Sequence, residues 1–284
     1  IRLDVDTSYT IAAASRARAA LSLRNAADAE SLLTVAGVRR SAGDASDLDV
    51  DVARISAGRA RNTAIADSMT AVAALLDLQQ ALGLSAAEPA IALGDTLAVP
   101  AMDSVGATGV ALPVAAAQRD LQSAEQTLAL EKRGMWSGLA LQAGFENHDP
   151  TGGEPGILPT FGLSTPLPLF NRAQGAIPLA AADRERAKVE LAAAQRESAA
   201  LASRARRDLI AARLRVARDR ELVATAERVA RLSLRAYAEG AYPLTTVLEA
   251  QRNARDTLVE LIDDLVAANT AAAALRLYAG TTIP

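Results

Sequence analysis

Cysteine is absent from this 284-residue chain, and His148 is its single histidine. There is therefore no thiolate nucleophile, no disulfide frame and no zinc–cysteine site, and a histidine-based triad or multi-histidine metal site is nearly excluded within one chain. No phosphate-binding loop or nucleophile constellation stands out, which makes an enzyme the weakest class. The side chains left with something to do are carboxylates. Asp47, Asp49 and Asp51 lie close to a helix start, where carboxylates favour the exposed N–H groups and the macrodipole, and that local role explains at least part of the cluster. His148 is expected to decorate an exposed loop, without ligand neighbours for a metal. Trp136 suits either a membrane interface or a packing site where helix meets strand.

Composition narrows the classes further. Half the residues are hydrophobic and only 3% are aromatic, so alanine, leucine and valine supply the apolar surface. Small side chains suit closely approaching helices better than a wide globular core. A net charge of -3, with no basic stripe interleaved with aromatics, gives no case for nucleic acid. There is no run of 18 or more apolar residues, hence no predicted membrane-spanning helix; a β-barrel strand would not need one.

The elements that position these residues are betrayed by an internal echo. Moving Gly43–Gly83 along the chain by 197 positions lays it on Gly240–Gly280. Val50, Ala53, Ala57, Ile65, Asp67, Ala71, Ala74 and Leu78 then meet Val247, Ala250, Ala254, Ile262, Asp264, Ala268, Ala271 and Leu275. A glycine ends one helix, a helix of equal length follows, and a second glycine ends that. The pattern predicts a duplicated long helical hairpin. In the second copy Val247, Gln251, Ala254, Leu258, Leu261, Leu265, Ala268, Ala272, Leu275 and Ala279 keep the alternating spacing of a coiled-coil seam. The seam of the first copy, with Arg54, Arg61 and Ser68, is more polar near its start.

Read in order, residues 1–82 are a first hairpin, 83–112 a connecting region punctuated by proline and glycine, and 113–133 a helix opened by Pro113. Residues 134–170 hold two alternating segments, one ending at Asn147 and one from Ile157 to Pro166, joined by a polar loop. Each has about ten residues, the length that crosses a bilayer in a tilted barrel and equally that of an ordinary soluble hairpin. Residues 171–284 are a second hairpin whose first arm runs unbroken from about Pro178 to Ala238, a rod of roughly 90 Å. The fold class is mainly α: long antiparallel hairpins in repeat, with a β-hairpin between them.

Three motifs give the chain a family resemblance. Ala42-Gly43-Asp44-Ala45-Ser46-Asp47-Leu48-Asp49-Val50 with Ala53 reads as a helix-tip signature, and Glu239-Gly240 through Val247-Leu248-Glu249-Ala250-Gln251 as its second copy. Gly162-Leu163-Ser164-Thr165-Pro166-Leu167-Pro168-Leu169-Phe170-Asn171-Arg172 with Gly175 reads as a chain leaving a barrel strand for a long helix. Together they resemble the TolC-type outer-membrane efflux channels of Gram-negative bacteria, and the strand-exit motif looks like the heavy-metal (cobalt–zinc–cadmium) branch.

The resemblance implies a homotrimer in which each protomer gives four strands to a twelve-stranded barrel in outer-membrane lipid and long helices to a periplasmic tunnel. Only the second strand pair falls in this sequence, so the first pair, its helices and a signal peptide are expected upstream of Ile1. The implied partners are a periplasmic adaptor and an inner-membrane pump, with no cofactor and no catalytic residue. By motif position, the tip turns at Gly43 and Gly240 would carry the gate, with Asp49 and Tyr237 linking the two hairpins and Glu249 supplying an acidic ring. Pro166, Pro168, Phe170 and Asn171 would form the strand-to-helix exit. Tyr242 and Thr246 depart from the pattern, standing where some relatives have a basic and an acidic residue. A periplasmic adaptor and a structural coiled coil are the competing readings. One strand pair with two hairpin copies argues against the first, and the strand exit argues against the second.

Overall fold

The computed structural model describes residues 2–85, 87–100, 109–134, 140–147, 157–164 and 175–280. Trp136, His148 and the strand-exit residues Pro166, Pro168, Phe170 and Asn171 lie outside them. The element order is α1 (Arg2–Ser41), α2 (Asp47–Ala81), α3 (Leu112–Gly134), β1 (Ala140–Asn147), β2 (Ile157–Ser164), α4 (Ala176–Ala238) and α5 (Leu244–Ala279). The chain divides into two compact units, one of residues 1–109 and 199–284 and one of 110–198, with the division inside α4.

In the first unit α1 packs along α2 and α5. The glycines of the repeat do what their spacing predicts. Gly43, Gly83, Gly240 and Gly280 take φ of 85, 76, 81 and 68°. At three of them the chain closes with one shared pair of bonds. Gly43, Gly83 and Gly240 donate to the carbonyls of Arg40, Gln80 and Tyr237. The residues after them, Asp44, Leu84 and Ala241, donate to Arg39, Gln79 and Ala236. This double closure satisfies carbonyls that a helix end leaves open, and it needs a left-handed residue at its centre. A Cβ added at Gly43 would meet no atom within 4 Å, so the penalty there is backbone conformation alone. Gly43→Ala is expected to cost about 1–2 kcal/mol, read as a lower urea midpoint; an unchanged midpoint would mean the turn relaxes.

The helices approach through alanine. Leu209, Ala212, Ala268, Ala271, Ala272 and Leu275 form one buried cluster between α4 and α5. Leu32, Ala36, Ala53, Tyr237, Leu244 and Val247 form another, which draws on both hairpin tips. The repeat extends to burial: Ala53 and Ala250, Ala57 and Ala254, Ala74 and Ala271, and Leu78 and Leu275 are buried in both copies. It breaks at Ile65, which is 59% exposed where Ile262 is 8%. Ion pairs across helices, Arg61 with Glu30 and Arg18 with Asp263, involve exposed side chains and contribute little.

The described residues of the connecting segment after Gly83, 84–85 and 87–100, have no helix or strand, and helix side chains satisfy their backbone instead. The buried Gln79 of α2 donates to the Glu88 carbonyl at 3.3 Å and accepts from Ala90 and Ile91 at 2.5 and 3.2 Å. Arg16 of α1 donates to Leu93 at 2.6 Å, Asn269 of α5 to Ala98 at 2.9 Å and Arg213 of α4 to Pro100 at 3.1 Å. Arg16 and Arg213 are repeat equivalents, so both copies use the same position to hold this strap.

In the second unit the two strands pair antiparallel in the register Ala140↔Ser164 to Asn147↔Ile157. Leu141 opposes Leu163, Ala143 opposes Phe161 and Phe145 opposes Pro159, so apolar residues collect on one face. No described residue covers that face: Leu141, Phe145, Phe161 and Leu163 are 83, 81, 85 and 67% exposed. Buried residues of the helical segments here include Val114 and Leu128 on α3 and Ala180 and Ala187 on α4.

Candidate functional site

The turns joining α1 to α2 and α4 to α5 are brought together in the first unit, because Leu32, Ala36 and Ala53 share a core with Tyr237, Leu244 and Val247. The two turns start differently although they are repeat equivalents. Ser46 caps α2 in a reciprocal box: its Oγ accepts from the Asp49 N–H at 3.1 Å, and its own N–H donates to Asp49 Oδ2 at 3.2 Å. At the matching place α5 begins after Pro243, with no side-chain cap. The aspartate cluster is spent locally. Asp47 pairs with Arg40 at 2.5 Å, Asp49 closes the cap and Asp51 pairs with Arg54 at 2.7 Å.

Tyr237 is 1% exposed, and its hydroxyl is buried without a hydrogen-bond partner. Burial raises the phenol above its ordinary pKa; the Asp49 charge adds to this and Arg39 opposes it. Tyr237 is therefore a neutral donor at neutral pH. The structure brings Asp49 and Tyr237 close enough to interact through charge, and no hydrogen bond joins them. The reason is local: Asp49 turns Oδ2 back to the Ser46 N–H. Glu249 is exposed on the first turns of α5.

Sequence reasoning missed the residue that links the two turns. The Arg39 guanidinium stacks on the Tyr237 ring, 4.5 Å from its centroid, and donates from Nη2 to the Asp44 carbonyl at 2.9 Å. The same Nη2 lies 3.5 Å from where a Cβ on Gly240 would stand. Arg39 thus ends α1, holds its own turn and covers the second one, a use of cation–π stacking that desolvation strengthens. Nothing in the sequence sets it apart from its neighbour Arg40. Among the described residues no group of histidine, cysteine or carboxylate side chains is arranged to hold a metal ion.

Neither protein-family models nor curated proteins match the sequence. Solved structures do match. A membrane protein from Pseudomonas aeruginosa superposes with a TM-score of 0.76 at 19% identity, covering 98% of this chain and 67% of that one. The outer membrane protein VceC from Vibrio cholerae gives 0.74 at 17% identity, with 98 and 69% covered. The outer-membrane channel OprN gives 0.74 at 16%, with 98 and 65% covered. The chain has the fold of outer-membrane channels over nearly its whole length. Within that class it adopts the TolC-type arrangement of long helical hairpins with a β-hairpin between them, and it spans about two thirds of the length of those structures.

Proposed function

We propose that this chain is part of the outer-membrane channel of a tripartite efflux system, a passive exit duct fed by an inner-membrane pump through a periplasmic adaptor. The observation that carries this reading is the β-hairpin, whose apolar face no described residue covers, in a chain that folds as outer-membrane channels do. Eight residues per strand advance roughly 26 Å, close to the height of a barrel's apolar band. A lone strand pair leaves edges that lipid cannot satisfy, so the barrel needs strands from elsewhere. A homotrimer supplies some of them. Ile55, Ile65 and Met69 on α2, all exposed, fit the same assembly as surface for a second copy.

In this reading the tips are the gate. Tyr237 and Arg39 hold the two hairpins in the resting packing with the Asp49 charge beside them, Gly43 and Gly240 allow the turns to be tight, and exposed Glu249 side chains, repeated around the trimer axis, favour cations at the entrance. The resting link is weak because the Tyr237 hydroxyl is unpaired, which suits a contact that adaptor docking must break.

The full-length gene product, fractionated and run unboiled, is expected in the outer membrane as a band at three times the protomer mass that collapses on boiling. A soluble periplasmic product would sink the channel reading and favour an adaptor. Replacing Asp49 and Tyr237 together should then raise resting conductance; unchanged conductance would remove both from the gate.

A further inference from the structure

Asp219 of α4 and Asp264 of α5 meet as a carboxyl pair. Asp219 is 8% exposed, and its Oδ2 is buried with no donor. Asp264 accepts the Arg215 Nε–H at 2.7 Å and lies within hydrogen-bonding reach of Asp219. Two ionised carboxylates offer only acceptors, so neither can satisfy the other. The internal repeat tells what the position requires. Moved by 197 positions, Ser22 and Asp67 become Asp219 and Asp264. In that first copy the buried Ser22 Oγ donates to Asp67 Oδ2. The first copy thus places there a hydroxyl that carries its own proton. The second places a carboxyl, which must bind a proton to make the same bond.

We infer that Asp219 and Asp264 are a proton-binding site: one proton, carried by Asp219 and donated to the Arg215-bound carboxylate of Asp264, closes the α4–α5 contact, and its release loosens it. The charged groups around it are arranged for this. From α5, Asp264 and Glu260 favour retention of the proton, and from α4, Arg215 opposes it. Arg18 of α1, the helix packed on α5, is engaged by Asp263. Burial is the largest influence on Asp219, followed by the bond to Asp264 and the two negative charges, and together they raise its carboxyl above the usual range. Such a group keeps its proton in the folded chain after the unfolded chain has lost it. Its contribution is therefore full below about pH 3.9 and declines as the pH climbs towards the raised folded value. The site stands on these helices alone and is independent of the channel reading.

Hydrogen exchange of the full chain between about pH 4 and pH 8, corrected for intrinsic pH dependence, tests it. The informative peptides span the segments around Asp219 and Asp264. Asp219→Ser installs the hydroxyl of the first copy, and Asp219→Asn, which brings its own N–H donor, guards against a packing defect in the serine variant. Wild-type protection is expected to fall with rising pH relative to either variant, on the order of tenfold across the range. Curves that run parallel for wild type and variants, or variants that lose protection faster with pH, would overturn the assignment.

Discussion

Tyr237→Ala is expected to destabilise the helical unit by about 3–5 kcal/mol, whereas Tyr237→Phe leaves it unchanged or slightly more stable. The ring is fully enclosed among Leu32, Ala36, Ala53, Leu244 and Val247, so its removal opens a cavity shared by both tips and takes away the face on which Arg39 stacks. The hydroxyl contributes little to the same account, because its one polar neighbour, the Arg39 guanidinium, stacks on the ring without a well-formed hydrogen bond to it, and an unpaired buried polar group costs about 1–3 kcal/mol. Urea denaturation followed by helical circular dichroism separates the two variants. Phenylalanine then isolates function from folding: with the fold intact, a rise in resting conductance assigns the hydroxyl to the gate, and no rise removes it. A phenylalanine variant as unstable as alanine would mean the hydroxyl has a partner that the folded chain alone does not supply.

Leu209→Ala should cost about 4–5 kcal/mol, the upper part of the range for such truncations. Leu209 is 0% exposed, and most of its buried neighbours are alanines: Ala205, Ala212, Ala268, Ala271 and Ala272. Alanines have no rotamers with which to move into a void, so the cavity stays open. The equivalent place in the first copy is Ala12, 1% exposed beside Ala74 and Leu78. Ala12→Leu should overpack there and cost about 1–3 kcal/mol. The two sites belong to separate clusters, so exchanging both residues should add the penalties and not cancel them. A loss below about 1 kcal/mol for Leu209→Ala would show that α4 and α5 close on the gap.

The elements were legible because they are written in residues whose backbone needs are unusual. Gly43, Gly83, Gly240 and Gly280 announce left-handed helix ends, Pro113 a helix start, and the alternation through Leu141, Ala143 and Phe145 a strand with one apolar face. The coiled-coil seam of α5 also came through, with Val247, Ala254, Leu265, Ala268, Ala272 and Leu275 buried. Contacts between distant side chains of ordinary type did not. Arg39 and Arg40 look alike in sequence, yet one stacks on Tyr237 and the other pairs with Asp47. Gln79 is one glutamine among several until the strap folds over it. Ile65 and Ile262 are the same residue at the same place in the repeat, and only the neighbouring helices decide which is covered. The carboxyl pair was within reach of the sequence: aligning the copies beyond the segment bounded by the glycines sets Ser22 against Asp219.

The strap has a mechanical consequence. Arg16, Arg213 and Asn269 grip it at points each 25 residues from the tip end of their helix, at Ser41, Ala238 and Leu244, a distance of roughly 38 Å. Three helices are thus tied to the strap at one level and held at the other only by the packed tip core around Tyr237. With an arm of that length, tilting a helix by about 5° about its pin swings the tip by about 3 Å, more than a hydrogen bond survives. The strap bonds need hardly change length for the far end to move by that much, so if the tips are the gate proposed above, a small rotation at the strap is enough to part them.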